Sequence, residues 1–332
     1  MLGTDRLYSK GRDKKHTYLG YKMTTKEHGN RKHFYAGFDN GYGSVKLQIE
    51  DHTLVRIPSY ISQEDMEDVA GRVVVDGKAY TVGESAFRSG TVFNSNSDHN
   101  DNKILNAKIT LLGAIAHLPY RRLWDLKVVT SLHDASLGER LKAVLEGEFT
   151  AILAGKESIV KVDVLKVVPE GMGVLVGRKL PERLTVLDFG NGTTLYSRYF
   201  KGKREVHTPY PDGVQCLIEL LTTAMKPLNG GKLGNPAKIR YALENGHTKY
   251  SSQIDFKSIY LSTVKDWLEK SLRQPLELAA ESKHEGDEVW TIGGGCLLPG
   301  VSKLLEKRGF NVLENPVDAN VNGLLGLAKK VG

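Results

Sequence analysis

The sequence predicts an α/β protein made twice from one plan, and three observations predict it. Two short stretches, Phe38-Asp39-Asn40-Gly41-Tyr42-Gly43-Ser44-Val45-Lys46 and Leu187-Asp188-Phe189-Gly190-Asn191-Gly192-Thr193-Thr194, say nearly the same thing. In each, a carboxylate ends an apolar strand, glycines follow two and four residues on, and a polar segment starts a second strand. Strand and helix patterns then follow one another in a similar order in both halves, without the short period of a tandem repeat. At 332 residues and 40% hydrophobic content the chain can fill one large or two ordinary domains.

The first half opens on three strands with tight connections, Phe34 to Asp39, Ser44 to Glu50 and Thr53 to Tyr60. A hairpin follows over Val73 to Tyr80, where Asp76-Gly77 supplies the positive φ angles of a two-residue turn. The stretch Ser89 to Asn102, dense in Ser, Asn and Asp, reads as loop, with Asp98 and Asp101 as turn formers. Next come an amphipathic helix from Lys103 to His117, a buried strand from Asp125 to Thr130, a helix from Ser136 to Glu146 with Ser136 as its cap, and a strand from Ile159 to Val168. The second half gives strands Leu184 to Asp188 and Thr194 to Phe200, then a helix after Pro211-Asp212-Gly213 through Met225. Two further helices are expected over Pro236 to Leu243 and Phe256 to Glu281. The strand Glu288 to Ile292 ends in Gly293-Gly294-Gly295, a helix starts near Pro299, and a last helix covers Val321 to Lys330.

The net charge of +7 suggests nucleic acid until it is located. Residues 1 to 32 hold nine Lys/Arg against three Asp/Glu, so nearly all of the excess sits there. This segment has no helix or strand period and few large aliphatic residues, and is expected to be a basic, disordered extension. It reads either as a solvated leader, with Met23 as a second candidate start, or as an electrostatic arm for DNA, an acidic partner or a membrane surface. No apolar run is long enough to span a bilayer and no signal-peptide core follows the basic start, so a soluble, cytoplasmic protein is expected. Cys216 and Cys296 have no metal-ligand spacing and no paired His motif is present, so reduced thiols and no structural metal are expected.

The chemistry is carried by the repeated glycine turns. A turn with little side-chain bulk lets backbone N–H groups approach phosphate oxygens, while the preceding carboxylate, Asp39 or Asp188, reaches a magnesium ion through its waters. Two such turns facing each other would grip a triphosphate from both sides. Lys46 would supply a point positive charge to the β- or γ-phosphate. Glu170, in Pro169-Glu170-Gly171 after a buried strand, is placed to hold an attacking water in line with the γ-phosphate. Gly293, Gly294 and Gly295 allow close approach of backbone to a planar base or ribose. Asp188-Phe189-Gly190 spells the protein-kinase magnesium motif, but neither a His-Arg-Asp loop nor a Gly-x-Gly-x-x-Gly opening accompanies it, and there is no P-loop.

With these pieces in order, the chain resembles the actin superfamily, specifically the bacterial plasmid-segregation actins of the ParM type. Asp39 through Leu47, with Asn40, Gly41, Tyr42, Gly43 and Lys46, is similar to that family's first phosphate loop, and Asp188 through Thr194, with Gly190, Asn191, Gly192, Thr193 and Thr194, to its second. Pro169-Glu170-Gly171 resembles the first connecting segment with its catalytic glutamate. Thr291 to Gly295 resembles the adenosine motif, and Asn315-Pro316 with Ala319 to Gly323 the second connection. The resemblance runs from about residue 34 to the C-terminus and does not include the basic leader.

It implies an actin-like, duplicated ribonuclease H-like fold: one domain of residues 33–170 plus 318–332, a second of 171–317, and a nucleotide cleft between them. It further implies ATP (or GTP) with Mg2+, hydrolysis, and head-to-tail polar filaments that segregate plasmid DNA through a DNA-binding adaptor. Two alternatives stay open: a filament serving as a membrane- or envelope-linked cytoskeleton, and a small-molecule kinase of the same superfamily, with Asp98 or Asp101 as the candidate base. A heat-shock-type chaperone is disfavoured because no substrate-binding domain follows the core.

Overall fold

A computed structural model describes residues 33–88, 93–96 and 101–332; the segment 1–32 and Asp98 lie outside them. Ten strands of the first half, β1 (Phe34–Asn40), β2 (Ser44–Ile49), β3 (Val55–Pro58), β4 (Tyr60–Ser62), β5 (Arg72–Val75), β6 (Lys78–Val82), β7 (Phe93–Ser95), β8 (Leu123–Leu132), β9 (Gly147–Leu153) and β10 (Lys156–Pro169), form one sheet in the order β3-β2-β1-β8-β10-β9-β5-β6-β4-β7. In the second half, β11 (Arg183–Phe189), β12 (Thr194–Phe200), β13 (Lys203–Tyr210), β14 (Glu288–Ile292) and β15 (Asn311–Val312) form a sheet ordered β13-β12-β11-β14-β15. The helices of the first half are α1 (Glu84–Arg88), α2 (Asn102–Leu105), α3 (Ala107–Ile115) and α4 (Gly138–Leu145). Those that follow are α5 (Val214–Ala224), α6 (Pro236–Glu244), α7 (Lys257–Asp266), α8 (Arg273–His284), α9 (Val301–Lys307) and α10 (Ala319–Val331).

The duplication is written in the pairings. An antiparallel meander β1-β2-β3 is extended by parallel β8 and β10, and the meander β11-β12-β13 by parallel β14 and β15. Parallel strands covered on both faces need continuous apolar sequence. Val128, Val129, Thr130, Ser131 and Leu132 are accordingly all buried, with α3 packed on one side and Leu324 and Ala328 of α10 on the other. The tight seat of α10 on β1 requires glycine, since a Cβ at Gly37 would lie 2.3 Å from the Val321 carbonyl oxygen. Where α10 crosses the turn after Gly171, a Cβ at Gly323 would lie 1.7 Å from the carbonyl oxygen of Gly173. Asn320 secures that crossing: its Oδ1 accepts from Gly173 N–H at 3.0 Å and its Nδ2 donates to Ser131 Oγ at 3.2 Å.

Several elements differ from the sequence reading. The stretch expected as one strand, Thr53 to Tyr60, breaks at Ser59 into β3 and β4, and the loop after Ser89 contains β7, paired with β4. The single amphipathic helix expected over Lys103 to His117 is two helices meeting at Asn106, and α3 is buried nearly all round because it lies between the sheet and α4. Ser136 does not cap α4 but sits in a 3-10 turn, donating its N–H and hydroxyl to Asp134 at 2.9 and 2.7 Å. The helix expected over Phe256 to Glu281 is α7, a π-helical turn at Trp267–Ser271, and α8. Pro275 explains the restart, because a residue without N–H fits only in the first turn of a new helix.

One buried carboxylate ties the second sheet to α8. The Asp287 side chain is fully buried and accepts from Arg183, Arg198 and Thr185 at 3.0, 2.8 and 2.8 Å. Burial would raise its pKa, but the hydrogen bonds from Arg198, Thr185 and Arg183 outweigh it and hold the carboxyl below its usual range. Its contribution is therefore present above the unfolded carboxylate pKa and is lost as pH falls below it. Asp287→Ala is expected to cost about 3 kcal/mol by leaving Arg198 with Glu285 alone and the buried Thr185 hydroxyl without its acceptor, measured by urea unfolding near neutral pH. A loss under about 1 kcal/mol would reduce the network to a surface ion pair.

Candidate functional site

Both glycine turns line one cleft, which holds ≈ 1030 Å3 of empty space including its mouth. Their backbones are built alike: a Cβ on Gly41 would lie 2.8 Å from the Ser44 carbonyl oxygen, and one on Gly190 2.8 Å from that of Thr193. They also interlock. A Cβ at Gly43 would lie 2.7 Å from Cβ of Asn191, and one at Gly192 3.2 Å from the Tyr42 ring. Each hairpin is braced from behind. Ser59 donates its N–H to Gly43 O at 3.3 Å and its hydroxyl to Tyr42 O. The second turn is held by the first residues of α5, with Val214 N–H on Gly190 O at 3.0 Å and Gln215 N–H on Asn191 O at 2.8 Å.

The strand ends aim Asp39 and Asp188 into the cleft, with Glu170 beside them. Lys46, opposite Asp39 in the β1/β2 register, donates to it at 2.9 Å. Burial disfavours the ammonium, but Asp39, together with Asp188 and Glu170, overcomes that and raises its pKa, so Lys46 stays charged. The corresponding position opposite Asp188 is Leu195. Asp188 is pushed up to about 7, first by burial, then by Glu170, with Asp39 adding to the rise and Lys46 and Lys103 opposing it. The cleft therefore carries more negative charge than its two lysines neutralise.

Among the described residues no group of three or more His, Cys, Asp or Glu could hold a metal directly. Two carboxylates in a cleft short of positive charge fit instead a hard cation that keeps most of its own water, as Mg2+ does. A carboxyl whose folded pKa is raised binds a proton on folding, so its effect is to lower stability as pH rises from about 4 to about 7. Asp188→Asn is expected to raise the melting temperature of the nucleotide-free protein at about pH 8 and to flatten its decline over that range. Calorimetry showing an unchanged slope would mean the carboxylate is already compensated.

The rest of the cleft is apolar on one side. Asn235 caps α6 by accepting from Ala237 and Lys238 N–H at 3.0 and 3.1 Å, with Pro236 at the first position. That helix turns Arg240, Leu243 and Glu244, spaced three and four apart, toward the cleft, facing Leu297, Pro316 and Val317. Arg240 donates to Asn191 Oδ1 at 2.6 Å and to Gln215, which fixes the second hairpin to this wall.

Residues 37–173 match the family described as the N-terminal domain of actin-like proteins. The fold is actin-like. Its fold is shared with a non-polymerisable quadruple mutant of pCBH ParM (21% identity over 90% of this chain and 100% of that one, TM-score 0.71). It is shared also with ParM of a 15-stranded filament from Clostridium botulinum (18%, 90% and 99%, 0.67) and with Bacillus thuringiensis ParM with ATP (17%, 90% and 100%, 0.62). No curated protein matches the sequence.

In this actin-like fold the residues expected at the site fall into two groups. Asp39, Gly41, Tyr42, Gly43, Lys46, Glu170, Asp188, Gly190, Asn191, Gly192, Thr193, Gly293 and Gly294 line the cleft. Asn40, Thr194 and Gly295 are buried behind it: Asn40 Nδ2 donates to Lys103 O at 2.7 Å, Thr194 Oγ1 to Asp212 O at 3.1 Å, and a Cβ at Gly295 would lie 2.7 Å from Cβ of Phe189. Of the three glycines only Gly294 meets open space; Gly293, at φ +89°, packs against Asp188 and Phe189. Arg240, Leu243, Glu244, Ser59 and Lys103 were not singled out by the sequence. A helix over Pro236 to Leu243 was expected, but nothing local says which cavity its face meets.

Proposed function

We propose that this chain is an ATPase, using ATP or GTP with Mg2+, whose nucleotide state controls head-to-tail assembly into polar filaments. The observation that carries the reading is the interlocking of the two glycine turns around one cleft that holds Asp39, Asp188, Glu170 and Lys46 together. The fold shared with ParM proteins, one with ATP and one from a filament, supports it.

Gly43, Gly190, Gly192 and Thr193 would present backbone N–H groups to the phosphates, while Gly41 closes its turn by donating its N–H to Ser44 O at 3.1 Å, and Asp39 and Asp188 would hold the hydrated Mg2+. Bound there, that ion would supply charge neutralisation along the phosphate chain. Lys46 adds a fixed positive charge, Glu170 orients the attacking water, and the wall of Leu243, Leu297, Pro316 and Val317 takes the base. Asn40, Thr194 and Gly295 serve by holding the hairpins in shape. The lobes of this reading are residues 33–170 plus 318–332 and residues 171–317, with 1–32 as an arm for DNA, an acidic partner or a membrane surface.

The job proposed for the filament is segregation of plasmid or other DNA in the cytoplasm through a DNA-binding adaptor. Among the described residues no helix is long and apolar enough to cross a membrane. The test is phosphate release and sedimentation of the purified chain with Mg·ATP and no added acceptor. Both together support the reading; ADP formation that requires a small-molecule acceptor, with the phosphoryl group recovered on that acceptor, would make it a kinase, and neither would end it.

A further inference from the structure

Lys103 is almost wholly buried, with its side chain 3% exposed, and it is not placed there to fill space. Its ammonium donates to both oxygens of Glu170, at 3.1 and 3.0 Å, and lies 3.9 Å from the centroid of the Tyr42 ring. A lysine is rarely this buried unless its charge is matched, and here the match is to the one carboxylate assigned to the attacking water. Glu170 itself is 17% exposed and faces the cleft, so it stands between Lys103 and the space the phosphates would occupy.

The lysine is in turn anchored to the phosphate grip. Its own carbonyl accepts from Asn40 Nδ2, one residue past Asp39 in β1, and its ring contact is the tyrosine between the two glycines of the first hairpin. Asp101, beginning α2, is paired with Arg140 of α4 at 3.1 Å. Glu170 is also fixed along its backbone, where its N–H donates to Leu132 O at 3.0 Å. A carboxylate held through two charge-assisted bonds on one side turns only by breaking both. Its unused lone pairs keep one direction.

We infer that Lys103 is a positioning residue for Glu170: it fixes the glutamate's orientation and ties that orientation to the first glycine hairpin, while touching neither phosphate nor water itself. The inference rests on the hydrolytic reading given above. It assigns Asn40 and Tyr42 a shared part, as the links through which a shift of the hairpin on filling the cleft would be felt at the carboxylate.

The experiment compares the full chain with Lys103→Met and Lys103→Arg, using ATP turnover, equilibrium binding of a fluorescent ATP analogue, and melting temperature. Methionine fills the same space, and the cleft-facing Glu170 can regain water, so a folded variant is expected. For Lys103→Met, kcat should fall by roughly 10- to 100-fold with KM and analogue affinity within about threefold, the pattern of a misplaced reacting group. Lys103→Arg, which keeps charge and two donors, should recover part of that loss. Unchanged kcat with a lower melting temperature would make Lys103 merely structural and overturn the inference, and a rise in kcat would make it a lock and overturn it also. If Lys103→Met fails to fold, Lys103→Gln, which keeps the length but not the charge, takes its place: a loss of kcat at unchanged KM supports positioning, and parent-like turnover overturns it. A parent chain that releases no phosphate would defeat the hydrolytic reading itself, whereas active parent with indifferent Lys103 variants defeats only this inference.

Discussion

A Glu170→Gln chain is expected to bind Mg·ATP as the parent does and to release phosphate about 10²- to 10⁴-fold more slowly, the range for loss of a positioned base. The amide keeps the size and two of the hydrogen-bonding directions of the carboxylate, so the cleft should keep its shape. What goes is the negative charge that would accept the water's proton and align its lone pair. Filaments formed with ATP should accordingly persist longer, read as pelletable protein over time after ATP is diluted. Turnover equal to the parent's would remove Glu170 from the reaction. The substitution also leaves Lys103 facing a neutral amide, so its melting temperature reports separately on that buried pair, which Glu170 shares with no other described lysine.

The second large effect is expected at Gly43. A side chain there starts 2.7 Å from Cβ of Asn191, so Gly43→Val must push the two hairpins apart at the point where they touch. Asn191 has little freedom to yield, because its Oδ1 is held by Arg240 at 2.6 Å and its carbonyl by Gln215 N–H. Overpacking of this kind costs about 1 to 3 kcal/mol of stability. Nucleotide affinity should fall further than stability suggests, by on the order of 100-fold, since both sides of the grip lose their spacing. Gly138→Ala is the control: its new Cβ would meet Val167 at 3.6 Å, an ordinary contact, and it should bind nucleotide like the parent. Equal binding by Gly43→Val would mean that the hairpins do not act together.

The hairpins were legible because their chemistry is local. An aspartate at a strand end and glycines at fixed offsets are visible without knowing what packs on them, and the second copy turns a weak pattern into a specific one. The parallel core strand through Val128 and Val129 was legible for a related reason, since burial on both faces favours the apolar residues at its centre. β15 was not, because Asn311–Val312 is too short to show a period and exists only through its partner β14. α3 was assigned the wrong kind of surface because its environment, sheet on one side and α4 on the other, is set by distant segments. Lys103 looked like any lysine at a helix start. Its meaning comes from Glu170, 67 residues away, and sequence spacing carries no trace of that meeting.

The two halves have diverged at one position that matters more than its size. Lys46 stands across the strand from Asp39, whereas Leu195 occupies the matching place beside Asp188. A perfectly mirrored pair of cradles would accept a linear anion in either direction, with no energetic reason to choose. A cation on one side alone makes the polarity of the seat intrinsic, and the apolar wall of Leu297 and Val317 adds a preference for where the uncharged end goes. The molecule thus acquires a front and a back at its centre, before any neighbour has joined it.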